Sequence, residues 1–237
     1  MEHYSREDLA IQHKADHSPV TQADMASQDF INAFLREHFP DIPIISEEAT
    51  PADYAERQQW RRFWLVDPLD GTKEFIKKNG EFTVNIALIE QGNPVFGVIY
   101  APALAQLYFG AQSIGSWRQT PSQLSRLVCQ RKPLDQPLRL VCSRSHPSAE
   151  LHQWMEAHTI VEQVPTGSSL KFCRVAEGAA DVYLRFHAIR EWDVAAGDAI
   201  YRYASEGSAH PSALRYNTPD LHTPAFMIGA EHTVPVL

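Results

Sequence analysis

Cysteine is scarce: Cys129, Cys142 and Cys173 are the only three in 237 residues. Odd in number and widely spaced, they exclude a paired disulfide framework and a Cys-x-x-Cys metal or redox motif, and point to a reducing compartment. Long apolar runs are missing as well. No stretch approaches the ~18 residues that would span a bilayer, and the segment from Met1 to Lys14 is polar and charged rather than signal-like. The expectation is a cytoplasmic protein without a transmembrane segment, with peripheral contact at the inner face of the membrane left open. Basic residues are outnumbered, 21 Lys+Arg against 29 Asp+Glu, for a net charge of -8. That balance works against polymeric nucleic acid as a partner, although a few local cations or a metal can still hold a small phosphorylated ligand. Internal repeats, low-complexity tracts and Gly/Ser linkers are absent, and the 16 prolines are dispersed.

What remains is an ordinary globular composition, 44% hydrophobic and 21% charged. The length suits one large domain or two packed halves enclosing a site. Thr21 reads as a helix N-cap with Asp24 three residues on. Phe30, Ile31, Phe34 and Leu35 would form the buried face, and Pro40 stops the helix. Short apolar runs at Ile42 to Ile45, Phe63 to Val66, Thr83 to Ile89, Val95 to Tyr100 and Leu107 to Phe109 read as strands, the later ones an antiparallel meander turned by Gln91-Gly92-Asn93-Pro94.

From about Pro137 the rhythm changes to alternating strand and helix. Strands are expected at Leu138 to Cys142, Ile160 to Val164 and Val182 to Phe186; helices are expected at Pro147 to His158, Ser169 to Glu177 and after Asp193. The polar, proline-containing segment 131–137 divides an α+β first half from an α/β second half. The expected subdomains are 1–134, carrying metal ligands on an antiparallel sheet, and 135–237, completing the active site and nucleotide pocket.

The strongest local signal is Trp64-Leu65-Val66-Asp67-Pro68-Leu69-Asp70-Gly71-Thr72, an apolar strand running into two aspartates, a fixed φ, a permissive glycine and a hydroxyl. Two carboxylates ~4 Å apart repel by about 4 kcal/mol at an effective dielectric near 20. Such a pair needs a proton, a cation or a hard metal between them. A solvated turn would use the same residue types. Glu47 and Glu48 also follow a strand, where an exposed charged loop is the plainer reading. Asp193 could simply cap the helix Val194-Ala195-Ala196-Gly197, and Asp24 could be no more than the third residue of a capping box.

Taken in order, Lys14-Ala15-Asp16-His17-Ser18-Pro19-Val20-Thr21-Gln22-Ala23-Asp24, Ser46-Glu47-Glu48, the Asp67 to Thr72 run and Trp192-Asp193-Val194-Ala195-Ala196-Gly197 resemble the inositol monophosphatase superfamily of magnesium-dependent, lithium-sensitive phosphatases. The resemblance covers roughly residues 14 to 200. Gly71 to Ile89, with Lys73-Glu74 where inositol phosphatases usually carry Asn, resembles its bisphosphate nucleotidase branch, as do Ser143-Arg144-Ser145-His146 and Gly167 to Cys173.

The resemblance implies a layered αβαβα sandwich of the inositol monophosphatase/fructose-1,6-bisphosphatase type. It implies one Mg2+ held by Glu47, Asp67 and the carbonyl of Leu69, and a second by Asp67, Asp70 and Asp193. A third, weaker ion near Glu47 and Asp24 would make two or three per site. Thr72, activated by Asp24, would orient the attacking water. Glu47, Leu69, Asp70, Gly71, Thr72, Ser143, His146, Ser168, Lys171 and Asp193 would contact the substrate. That substrate would be a small bisphosphorylated nucleotide, adenosine 3',5'-bisphosphate, losing its 3'-phosphate to give AMP. The 3'-phosphoadenylyl sulfate of sulfur assimilation would be a further substrate.

Arg144 and Arg190 are additional anion candidates, Arg61 and Arg62 surface residues, and Cys173 a core residue. The alternatives are an inositol or sugar monophosphate phosphatase, and a non-catalytic metal-dependent nucleotide-binding protein. A monomer or homodimer is expected. Only thirteen residues precede Lys14, fewer than the usual first helix of the family, so looser packing around Lys14 to Thr21 or altered dimer contacts are expected. The stretch after Ser205 diverges from the family.

Overall fold

The computed structural model describes residues 1–5, 12–13, 19–144 and 148–231. Helix α1 (Gln22–His38) forms where the capping residues predict it. Thr21 Oγ1 accepts from the Ala23 amide at 3.1 Å, while the Asp24 carboxylate accepts from the Thr21 amide at 2.8 Å. This reciprocal box leaves fewer orphan donors at the helix start. Its buried side is not the expected one. Ile31 and Leu35 are buried, but Phe30 is 75% and Phe34 49% exposed. The row that faces inward is Asp24, Gln28, Ile31, Asn32 and Leu35, because this helix covers polar site residues at one end and apolar sheet at the other.

Seven strands follow in sequence order across one sheet: β1 (Ile44–Ser46), β2 (Arg62–Asp70), β3 (Thr83–Glu90), β4 (Asn93–Ala101), β5 (Gln106–Ala111), β6 (Gly115–Gln119) and β7 (Leu124–Leu127). A short helix, α2 (Thr72–Ile76), interrupts the chain after β2. β1 runs parallel to β2 and every later pair is antiparallel. Glu90 pairs with Asn93, so Gln91 and Gly92, at φ 50° and 72°, make a two-residue loop whose positive φ angles match the right-handed twist of the flanking strands. β6 and β7 are additions to the expected meander.

The second sheet has the order β9 (Ile160–Thr166), β8 (Leu138–Ser143), β10 (Val182–Arg185) and β11 (Phe226–Ile228). β8 is parallel to β9 and β10, and β11 returns antiparallel beside β10. Helices α3 (Ala149–Glu156), α4 (Leu170–Ala176) and α5 (Glu191–Tyr203) alternate with these strands. α5 packs on β2 to β6 of the first sheet, and α4 packs on both α5 and strands β8 and β10. α3 covers the far face of the second sheet, with Leu151 and Trp154 against Leu138, Leu140 and Val182. With α1 outside the first sheet, the layers read α, β, α, β, α. Nearly every residue of α5 is buried, as a helix lying between two sheets must be.

Candidate active site

The aspartates of β2 meet through a bulge rather than a free turn. Asp67 pairs with Asn85 and Asp70 with Thr83, so three steps on β2 oppose two on β3. In a regular strand, residues three apart face opposite sides; the extra residue restores Asp67 and Asp70 to one side. Both line a cavity of about 480 Å3 between the two sheets. The Leu69 amide donates to Asp67 Oδ1 at 3.0 Å, and Ser27 Oγ donates to the Pro68 carbonyl at 2.8 Å. Gly71, at φ 89°, then starts α2. A side chain there would be strained, and its Cβ would lie 3.3 Å from the Glu81 carbonyl and from Ser168 Cβ.

Three elements bring carboxylates from elsewhere. Asp24 Oδ1 accepts from Thr72 Oγ1 at 3.3 Å, while Oδ2 is engaged by Thr21. Asp24 is therefore both capping residue and partner of Thr72. Glu47 follows β1 and is set by its flanks. Its amide donates to the Val66 carbonyl at 3.1 Å, Ser46 Oγ donates to Gln28 Oε1 at 2.7 Å, and Gln28 Nε2 donates to the Glu48 carbonyl at 3.1 Å. Asp193 lies in the first turn of α5 and not at its cap. The capping position is Arg190, which is extended at ψ 143° and makes no side-chain capping bond, so the simple capping reading of Asp193 is set aside.

Glu47, Asp67 and Asp193 present carboxylate oxygens within 4.8 Å of one another. Burial is the largest cause pushing Asp67 and Asp193 well above the usual carboxylate range, and mutual repulsion among Glu47, Asp67, Asp70 and Asp193 adds to it. Asp70 is pushed up to about 6 by burial, against the pull of Lys171 and the Ser169 amide. Asp24 is raised by burial, opposed by its bonds to Thr21. An all-oxygen set of crowded acids with raised affinity for protons is the donor chemistry of a hard divalent cation.

The opposite wall is cationic. Ser169, before α4, is held three ways: its amide donates to Asp70 Oδ2 at 2.6 Å, and its Oγ meets Asn85 Oδ1 at 2.7 Å and Thr83 Oγ1 at 2.8 Å. Ser168 lies in the left-handed region at φ 45° and its buried Oγ has no hydrogen-bond partner among the described residues. Lys171 Nζ donates to the Ser168 carbonyl at 2.7 Å and lies 5.9 Å from the centre of the Tyr183 ring. Burial lowers the Lys171 pKa, while Asp70 pulls it back up. Arg185, at the end of β10, lines the same cavity with a buried Nε that has no hydrogen-bond partner among the described residues.

The cavity thus brings together Glu47, Asp67, Leu69, Asp70, Gly71, Thr72, Ser143, Ser168, Lys171 and Asp193, with Asp24 behind Thr72. His146 and the segment Lys14 to Ser18 lie outside the described residues. Arg144 is not a free anion site, because its guanidinium is bound bidentately to Glu81 at 2.9 and 2.8 Å. Arg190 points elsewhere, over the Trp192 ring at 5.4 Å and to the Asp220 carbonyl at 3.2 Å. Cys173 is fully buried, with its thiol pushed well up by burial, which suits packing rather than nucleophilic attack. Sequence reasoning misses Arg185, a single basic residue at a strand end with no motif around it. It also misses Gln28, whose only signal is polarity on an otherwise buried face, and the bond by which Ser46, quoted only as part of its motif, holds Gln28.

A model described as the inositol monophosphatase family matches residues 1–205. The 3'(2'),5'-bisphosphate nucleotidase CysQ of Salmonella typhimurium is 51% identical over 189 residues, covering 79% of this chain and 74% of that protein. The protein of the same name from Escherichia coli K12 is 48% identical over 199 residues, covering 83% and 77%. Among solved structures, CysQ from Bacteroides thetaiotaomicron superposes with a TM-score of 0.81 at 39% identity, covering 98% of this chain and 91% of that one.

Proposed function

Because the chain belongs to the inositol monophosphatase family, we propose that the cleft is the active site of a metal-dependent 3'(2'),5'-bisphosphate nucleotidase. It removes the 3'-phosphate of adenosine 3',5'-bisphosphate to give AMP and phosphate, and treats 3'-phosphoadenylyl sulfate in the same way. The observation that carries this reading is the juxtaposition, in one cavity, of an acidic wall at Glu47, Asp67 and Asp193 with a cationic wall at Lys171 and Arg185. The first suits the scissile phosphate with its metals. The second gives a second phosphate a place that a polyol monophosphate would leave unused.

Two or three Mg2+ ions are assigned to Glu47, Asp67, the carbonyl of Leu69, Asp70 and Asp193, with Asp24 near the weakest. When bound, such ions would neutralise charge on the phosphate oxygens, stabilise the leaving alkoxide and lower the pKa of a water so that it can attack as hydroxide. The residues of the chain do the rest. Thr72 Oγ1 gives its own proton toward Asp24 Oδ1, 3.3 Å away, and so presents a lone pair that accepts a proton from the attacking water. Burial strengthens Asp24 as that final acceptor. Gly71 and Thr72 amides at the start of α2 have no intrahelical partner and suit phosphate oxygens. Ser143, Ser168, Lys171 and Arg185 hold the remainder of the nucleotide, and His146 is assigned there by its motif.

Division of the chain near residue 134 fits this reading, with metal ligands mostly on the first sheet and nucleotide contacts on the second. Three unpaired cysteines suit a reducing, cytoplasmic setting. Among the described residues no helix is long and apolar enough to cross a membrane. The direct test is phosphate release from adenosine 3',5'-bisphosphate with Mg2+ by the wild type and by Asp67→Asn. Turnover lost in the variant is expected; turnover unaffected by Asp67→Asn would overturn the assignment.

A further inference from the structure

Glu81 does not line the cleft, yet it touches three segments that do. It sits in the loop between α2 and β3, and its carbonyl packs against Gly71. Its carboxylate crosses to the other half of the molecule. Oε2 accepts from the Gly167 amide at 2.9 Å and from Arg144 Nε at 2.9 Å, and Oε1 accepts from Arg144 Nη2 at 2.8 Å. Arg144 Nη2 also donates to the Pro165 carbonyl at 2.9 Å. The strap from Pro165 to Gly167 is therefore gripped at a carbonyl by Arg144 and at an amide by Glu81. A side chain at 167 would not fit: its Cβ would lie 2.9 Å from both Glu81 Cβ and the Glu81 carbonyl.

Ser168 follows this strap directly. On its far side Ser169 is anchored by Asp70, Asn85 and Thr83. Ser168 is thus suspended between two clamps, in a backbone conformation that a non-glycine residue keeps only where its surroundings over-determine it. Its hydroxyl, unpartnered and buried at the cavity wall, and its carbonyl, which holds Lys171, are both set by that suspension.

We propose that Glu81 and Arg144 form a positioning latch that joins the two sheets and fixes the Ser168 hydroxyl and Lys171 for substrate binding. The proposal rests on the reading of the cleft as a nucleotide site. Because Ser169 keeps its own three bonds to the acidic side, the latch acts on substrate affinity and leaves the metal ligands in place.

The test uses Glu81→Ala, Arg144→Ala, their double variant and the isosteric Glu81→Gln, which keeps an acceptor for the Gly167 amide if the alanine variant folds poorly. Both single alanine variants are expected to raise KM for the nucleotide about tenfold while kcat stays within about twofold, since a charge-assisted bond that positions a binding group has been lost. The double variant should be no worse than the poorer single one, because both residues grip one strap. Glu81→Gln should lie between wild type and Glu81→Ala. Hydrogen exchange at the Gly167 amide, measured without substrate, should quicken in all four variants. A fall in kcat at unchanged KM, additive losses, or unaltered exchange at Gly167 would overturn the latch. Should the wild type release no phosphate from the nucleotide, the functional reading fails by itself, and the exchange measurement still decides the latch.

Discussion

Thr72 and Asp24, 48 residues apart in sequence, meet through a hydrogen bond of 3.3 Å from Thr72 Oγ1 to Asp24 Oδ1. Asp24 Oδ2 is already occupied by the Thr21 amide and hydroxyl, so its remaining oxygen is aimed at one hydroxyl. Asp24→Asn keeps the shape but places no base behind Thr72. We expect kcat to fall about 10²- to 10⁴-fold, the usual range for a lost general base, with KM little changed. Steady-state kinetics check this; a rise in KM at constant kcat would move Asp24 from the reaction to substrate binding.

The buried acids set a pH dependence whose sign is opposite to that of an ordinary ion pair. Asp70 is pushed up from 3.8 to about 6, and Asp67 and Asp193 are also raised well above 3.8, chiefly by burial. In this range the folded chain keeps protons that the unfolded chain releases, so their contribution to stability is complete below about pH 4 and is lost as pH rises through 6 and beyond. Cations that replace those protons have most to offer at higher pH. Thermal unfolding should show a larger gain from Mg2+ at about pH 7.5 than at about pH 5. Equal gains at both pH values would contradict the crowding of these carboxylates.

Ser168 separates a hydroxyl effect from a backbone effect. Ser168→Ala and Ser168→Gly both remove the buried unpartnered Oγ, and both should raise KM about tenfold, or 1.4 kcal/mol, for one lost hydrogen bond to substrate. Only the glycine variant also relieves the φ of 45°, which should raise stability by about 1 kcal/mol. Chemical denaturation alongside kinetics resolves the two. A glycine variant no more stable than the alanine one would mean that the left-handed conformation costs nothing here.

Arg185 should matter for the second phosphate and not for the first. Arg185→Ala is expected to raise KM for adenosine 3',5'-bisphosphate about tenfold, with kcat maintained, since it removes binding energy that is equal in ground and transition states. Adenosine 3'-monophosphate, lacking the second phosphate, should be affected little. Equal losses for the two substrates would place Arg185 at the scissile phosphate instead.

Legibility in the sequence tracks how local each signal is. Asp67, Leu69, Asp70 and Thr72 fall within six consecutive residues, and Asp193 lies in a recognisable run, so the chain itself displays them. The bulge that aligns Asp67 with Asp70 is not displayed in this way, because it is a property of the pairing with Asn85 and Thr83 rather than of β2 alone. Strands β6 and β7, Gly115–Gln119 and Leu124–Leu127, carry no apolar run, since they lie at the sheet margin. Phe30 and Phe34 mislead the helix reading, since hydrophobic spacing gives a face but not which neighbour covers it. Arg144 has the character of an anion site in the sequence alone, but Glu81, 63 residues earlier, claims it in the fold.

In the proposed function, one cleft uses its acidic wall on a scissile phosphate and its cationic wall on a second one. The most direct measurement is phosphate release by the purified chain, with Mg2+, from adenosine 3',5'-bisphosphate and from inositol 1-phosphate side by side, each with and without lithium. A strong preference for the nucleotide, with inhibition by lithium, is the result predicted. Preference for the inositol ester, or release from neither, would contradict it.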